Sequence, residues 1–184
     1  MSERRVHYTW KDVEHMIHVI NNLMAADGWR PDYIVGLTRG GLVPAVMLSN
    51  ITGIKLHTLN ARYDDEAGAE SNLWMAEDAY GYNAEYTDNY RHSPGKEKKI
   101  LIVDDINNNG KTFTWLQDDW RSGCCPDSPV WDKVFGGNVR VATLVDNMSS
   151  EYKDVDYAAI EIDKREENIW TVFPWEGERN YGIN

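Results

Sequence analysis

Apolar positions along the chain change period several times, and each change marks an element. Trp10, Val13, Ile17, Ile20 and Met24 recur at threes and fours, which predicts a helix over residues 9–26. Thr9 is placed to cap it with Asp12 at the third helical position, and Tyr8 to staple onto Val13. Gly28 and Pro31 stop it. Residues 33–37 (YIVGL) form an apolar run of strand length. A Thr-Arg-Gly-Gly turn follows, then a second helix over 42–52 closed by Gly53. Residues 55–60 alternate and read as another strand. From 61 to 99 the period disappears among acids and aromatics. This stretch reads as one long flexible flap, poorly packed, with a helical turn at 73–78. Order returns with a buried strand at 100–103, a helix over 110–120 ended within 123–129, and strands at 139–145 and 157–162. Strands alternating with helices predict an α/β class: a central, mostly parallel sheet flanked by helices, in one domain spanning 1–184.

Composition narrows the partners. A net charge of -11 excludes general nucleic-acid or anionic-membrane binding, although local amides, cations or a metal can still receive a small anion. The opening MSERRVHYTW lacks the apolar stretch of a signal peptide, and the aliphatic runs are too short for a spanning helix. Cys124 and Cys125 are neighbours, so a disulfide between them would be strained, and no Cys/His spacing suggests zinc. Two reduced thiols at a helix end fit a cytoplasmic protein.

Residues 100–113, ILIVDDINNNGKTF, carry the candidate chemistry. A Walker loop would need glycine where Asp105 stands, and a carboxylate there would face the phosphates. A receiver domain would use the paired acids, but too little chain follows Asp146 to complete one. A third reading uses every residue. A strand ends in two acids, and the turn from Asn107 to Thr112 opens a helix whose amides form a phosphate site. Gly110 permits close approach and Thr112 offers a hydroxyl. Carboxylates one step before a phosphate site suit the hydroxyls of a ribose 5-phosphate.

ILIVDDINNNGKT resembles the 5-phosphoribosyl-1-pyrophosphate (PRPP) signature of the type I phosphoribosyltransferases. IVGLTRGGLVPAVMLSNITGI resembles their first strand, pyrophosphate loop and helix. YAAIEID followed by WTVFPWEGE resembles the base-binding hood of bacterial xanthine-guanine members, here residues 163–184. The resemblance implies that fold, with a flap over 61–99, and transfer of phosphoribosyl from PRPP to a nucleobase in nucleotide salvage. It implies Mg2+ and a homodimer or homotetramer. Asp104 and Asp105 would hold the ribose hydroxyls, directly or through the metal, with Glu176 near a second metal or the pyrophosphate. Asn107, Asn108, Asn109, Gly110, Lys111 and Thr112 would hold the 5-phosphate. Thr38, Arg39, Gly40 and Gly41 would hold pyrophosphate, with a cis peptide at Thr38–Arg39. Trp170 would stack on the base and the Thr171 backbone would bond its edge.

Two positions depart from the purine pattern. Asn108 stands where purine members carry an Asp that handles the base proton, and an amide is no general base. Asn147 stands where they carry a Lys that donates to the 6-oxo group. With Asn147 as the base reader, weak 6-oxopurine activity and a preference for an amino-substituted ring are expected. The competing class is a non-catalytic PRPP-sensing regulator on the same fold.

Overall fold

The computed structural model describes residues 3–61, 72–82 and 92–176. In chain order the elements are β1 (Arg4–His7), α1 (Trp10–Ala26), β2 (Tyr33–Leu37), α2 (Leu42–Thr52), β3 (Lys55–Leu59), α3 (Leu73–Tyr80), β4 (Ile100–Asn107), α4 (Lys111–Gly123), β5 (Val139–Asn147), β6 (Tyr157–Ile162) and β7 (Ile169–Val172). Five strands make one sheet in the order β3-β2-β4-β5-β6, every pair parallel. β1 and β7 pair separately, also in parallel.

The sheet is buried on both faces, which explains why β2 and β4 read as unbroken apolar runs. Alternate residues serve opposite cores. Ile100 and Ile102 pack with Phe113, Leu116 and Trp120 of α4, whereas Leu101 and Val103 pack with Val13, Ile17, Ile20 and Leu48 of α1 and α2. Each such side chain contributes about 1.5–3 kcal/mol of burial. The Thr9–Asp12 capping box forms as expected. Tyr8 packs against the cluster containing Val13 and stacks on Phe173 at 5.5 Å.

The 61–99 stretch is not a single loosely packed flap. α3 buries Met75, Ala76, Ala79 and Tyr80 beneath the sheet with α4. Its surroundings are tied down: Tyr33 Oη donates to Asp78 (3.2 Å), Asn138 Nδ2 to the Ala79 carbonyl (2.8 Å), and the Lys98 amide to the Asp78 carbonyl (2.9 Å). The helix forms because positions 75, 76, 79 and 80 share one face. The rest of the expected flap, residues 62–71 and 83–91, lies outside the described residues, as does the hood beyond Glu176.

Two strands were not anticipated. β1 is exposed at most positions, so it carries no apolar alternation, and it exists through its partner: Arg4, Arg5, Val6 and His7 lie opposite Ile169, Trp170, Thr171 and Val172. The hood is therefore built from both ends of the chain. A ladder of rings fastens it to α1. Tyr8 stacks on Phe173, Phe173 on Trp175 (4.9 Å, 2° between planes), and Trp175 packs against Trp10 at 6.0 Å. Cys124 and Cys125, at the end of α4, form no disulfide. Among the described residues no helix is long and apolar enough to cross a membrane.

Candidate active site

A parallel sheet places the loops after its strands along one edge, where ligands of such sheets bind. The loops after β2, β4, β5 and β6 carry most of the expected residues. The loop after β2 turns at Thr38–Arg39, whose peptide bond is cis as expected. Thr38 Oγ1 bonds Asn60 Oδ1 at 2.9 Å, and the Thr38 amide donates to the Leu59 carbonyl. Asn60 is a supporting residue that the sequence pattern did not single out. The Arg39 side chain is exposed.

Gly40 and Gly41 are required by proximity. A Cβ on Gly40 would overlap the Asp105 carboxylate, and one on Gly41 would overlap the Val103 carbonyl. The loop after β2 thus lies directly against the end of β4. The Gly41 amide lies near the Asp104 carboxylate and favours its charged form, and the Asp105 amide donates to Asp104 Oδ1 at 2.9 Å.

The two acids are half-buried side by side. Burial, then the charge of Asp105, holds the Asp104 pKa well above the ordinary carboxylate range. Asp105 is pushed up to about 6, first by burial and next by the charge of Glu176. Glu176 is exposed and accepts the Phe173 amide at 3.3 Å, which puts the hood acid beside the diacid. The Trp175 indole N–H lies near Asp105 and favours its charged form, though it makes no hydrogen bond of normal geometry.

Among the described residues, no group of three acidic, His or Cys side chains closes tightly enough to hold a metal by itself. The donor set still fits magnesium, which binds through one or two carboxylates and takes its remaining oxygens from water and substrate phosphates. A cation would also relieve the repulsion that raises both pKa values.

After β4 the chain turns through Asn107, Asn108, Asn109 and Gly110 into α4. Gly110 has φ +86°, and a Cβ there would crowd Tyr152 and Ser150. The Lys111 amide is met by Asn109 Oδ1 at 3.1 Å. Gly110 has no side chain to cap the first turn, and among the described residues the amides of Thr112 and Phe113 have no partner. That is the geometry of an anion seat at a helix N-terminus. Lys111 is exposed and Thr112 half-buried at its rim.

Asn107 belongs to the frame. It is 1% exposed, its Nδ2 donates to Asp146 (2.8 Å) and the Tyr152 carbonyl (3.0 Å), and its Oδ1 accepts from Ser150 (2.8 Å). Only its backbone remains for a ligand.

A model of the family described as phosphoribosyl transferase domain matches residues 7–181. This chain belongs to the phosphoribosyltransferase family. No curated protein matches the sequence. Among solved structures it is similar to a purine phosphoribosyltransferase from Pyrococcus horikoshii (24% identity, TM-score 0.60, 93% of each chain covered). It is also similar to a Helicobacter pylori xanthine-guanine-hypoxanthine phosphoribosyltransferase (18%, TM-score 0.60, 95% of each). A third, a hypothetical protein from Neisseria gonorrhoeae with bound ppGpp, matches at 15% and TM-score 0.62, covering 97% of this chain and 93% of that one. At these identities the likeness is one of fold.

For a phosphoribosyltransferase domain the acceptor side matters most, and here the expectation for Asn147 needs correcting. Asn147 is 5% exposed and bonded at both ends of its amide. Its Nδ2 donates to the Asn108 carbonyl at 2.7 Å, and its Oδ1 accepts from Ser149 Oγ (2.7 Å), the Ser149 amide (3.2 Å) and the Lys164 amide (3.1 Å). A neutral amide makes such a multiple brace, with its oxygen spent on three donors and its nitrogen tied to the turn, so Asn147 serves first as a frame residue. The half-buried group beside it is Lys164, whose Nζ donates to Asn108 Oδ1 at 2.6 Å. Lys164 follows β6 in an acid-rich stretch, so sequence pattern gave no sign of it.

In the hood, Trp170 is 49% exposed opposite Arg5, and the Thr171 side chain is buried. The Arg4 and Tyr8 amides bond the carbonyls of Asn168 and Val172. By strand alternation the backbone of Thr171 therefore faces away from β1.

Proposed function

We propose that the protein transfers the 5-phosphoribosyl group from PRPP to a nucleobase of purine type, releasing pyrophosphate, in cytoplasmic nucleotide salvage. The observation that carries the reading is the close seating of the Gly40–Gly41 loop on the Asp104–Asp105 pair, one turn before the open amides of α4. That order supplies, along one sheet edge, a place for pyrophosphate, for two hydroxyls and for a terminal phosphate.

In this reading the α4 amides, Thr112 and the Asn108–Lys111 backbone seat the 5-phosphate. Asp104 and Asp105 accept from the ribose hydroxyls. Arg39 and the loop amides stabilise charge on the departing pyrophosphate. The base nitrogen forms a bond to C1 as the C1–oxygen bond to pyrophosphate breaks, and its proton passes to solvent. Trp170 offers a ring face to the base and the Thr171 backbone a hydrogen bond to its edge. Magnesium, held by Asp104 and Asp105 with Glu176 nearby, would neutralise pyrophosphate charge.

The test is a coupled assay of pyrophosphate release with PRPP, Mg2+ and a panel of guanine, xanthine, hypoxanthine, adenine, uracil, cytosine and orotate, run beside calorimetry of PRPP binding. Base-dependent release is expected. PRPP binding with no release for any base would leave the sensing protein, and absence of PRPP binding would overturn both readings.

A further inference from the structure

We propose that Thr143 is the positioning residue for Asp104: its buried hydroxyl donates to the Asp104 carboxylate when that acid accepts the ribose hydroxyls. This deepens the phosphoribosyl-transfer reading above and rests on it.

Placement comes first. β4 and β5 pair in parallel, with Ile100 opposite Val139, Ile102 opposite Val141 and Asp104 opposite Thr143. The first two pairs are aliphatic and lie in the core beneath α4. Thr143 is the next residue of that column on β5, and Asp104 the next on β4, so the two share a face of the sheet.

The Thr143 hydroxyl is stranded. The residue is 0% exposed, and its Oγ1 has no hydrogen-bond partner. Valine has the same shape and would continue the column without burying a polar atom. A buried hydroxyl left unpaired lowers stability, so its presence here calls for an acceptor. On the β6 side the ladder neighbour is Ala158, which offers only a methyl group. On the β4 side it is Asp104, a carboxylate.

Reach and capacity both suit that acceptor. Adjacent strands lie about 4.8 Å apart, so a rotation about the threonine χ1 carries Oγ1 to the acid. An ionised carboxylate has about four acceptor sites. The Asp105 amide takes one of them, at Oδ1. Thr143 takes another from the buried side, which fixes the plane of the carboxylate and leaves the outer sites for the ribose. Asp105 has a different neighbouring donor, the Trp175 indole. Because Thr143 is fully buried it touches no ligand, and it acts only through Asp104.

The experiment measures PRPP Kd with Mg2+ by calorimetry, and thermal melts without ligand, for Thr143→Val and Thr143→Ser. Thr143→Val is also combined with Asp104→Ala. Removing the stranded hydroxyl in Thr143→Val should raise the ligand-free Tm by ~2–8 °C. The same variant should bind PRPP about tenfold to a hundredfold more weakly, the worth of one hydrogen bond to a charged group. Thr143→Ser keeps the hydroxyl and should bind within about threefold of wild type. On the Asp104→Ala background, Thr143→Val should change Kd by no more than about twofold, since the acceptor is gone. Unchanged PRPP binding in Thr143→Val would overturn the proposal. So would a lowered Tm accompanying weaker binding, which is the behaviour of a merely structural residue, or an equal loss with and without Asp104. A wild type that binds no PRPP would instead remove the underlying reading, and this proposal with it.

Discussion

The Asp104→Asn/Asp105→Asn protein should bind PRPP with Mg2+ about 10²–10⁴ times more weakly than wild type, since two charge-assisted contacts of ~1.5–3 kcal/mol each are lost. It should also be the more stable protein without ligand. Both carboxylates titrate above the ordinary 3.8 in the folded chain, Asp105 at about 6. Between those values the folded state holds protons that the unfolded state has released, so stability falls as pH rises through the window and stays low above it. Replacing the acids removes this cost, about 1–2 kcal/mol allowing for their coupling, which is a rise of ~2–8 °C in Tm near pH 8. Below about pH 3 the advantage should vanish, because both acids are then protonated in the folded and unfolded chains. Calorimetric titration and thermal melts at the two pH values check this. Wild-type PRPP affinity in the variant would refute the site assignment.

The second large effect is structural. Asn107→Ala removes three hydrogen bonds from a buried position and leaves Asp146, Ser150 and the Tyr152 carbonyl without those partners. A loss of about 2–4 kcal/mol is expected, lowering Tm by ~5–15 °C. PRPP affinity should fall with it, because Asn107 ties the turn proposed to seat the 5-phosphate to the end of β5 and the 150–152 loop. A side chain that merely touched phosphate would show the reverse, with weakened binding and an unchanged melt. Melting curves with and without PRPP separate the two.

These residues show where sequence reading succeeds. The pattern ILIVDD located β4 and its acids because a strand buried on both faces must be apolar throughout, and because two adjacent carboxylates ending it have no packing role. TRGG and NNNG were legible for a related reason. Gly40, Gly41 and Gly110 answer to backbone proximity and left-handed φ, constraints that leave glycine as a visible mark. The face of α3 was present in the spacing of residues 75, 76, 79 and 80. It was obscured by acids and aromatics on either side.

The three asparagines were beyond that kind of reading. An amide has the same chemistry whether it meets a ligand or a neighbouring strand, and only the register of β4 on β5, Asn107 opposite Asp146, spends Asn107 inside the fold. Asn147 is likewise a brace because Asn108, Ser149 and Lys164 converge on it from three loops. β1 has no pattern of its own and owes its existence to β7, more than 160 positions away in the chain. The sequence by itself determined the class of sheet, the place of the diacid and the glycine turn after it, because periodicity, glycine and paired charge are local signals. The tertiary structure alone decided which polar side chains stay exposed at the sheet edge and which hold the frame, and it brought Lys164 over the end of β5 to Asn108. Those outcomes depend on contacts between distant segments, and local spacing carries no record of them.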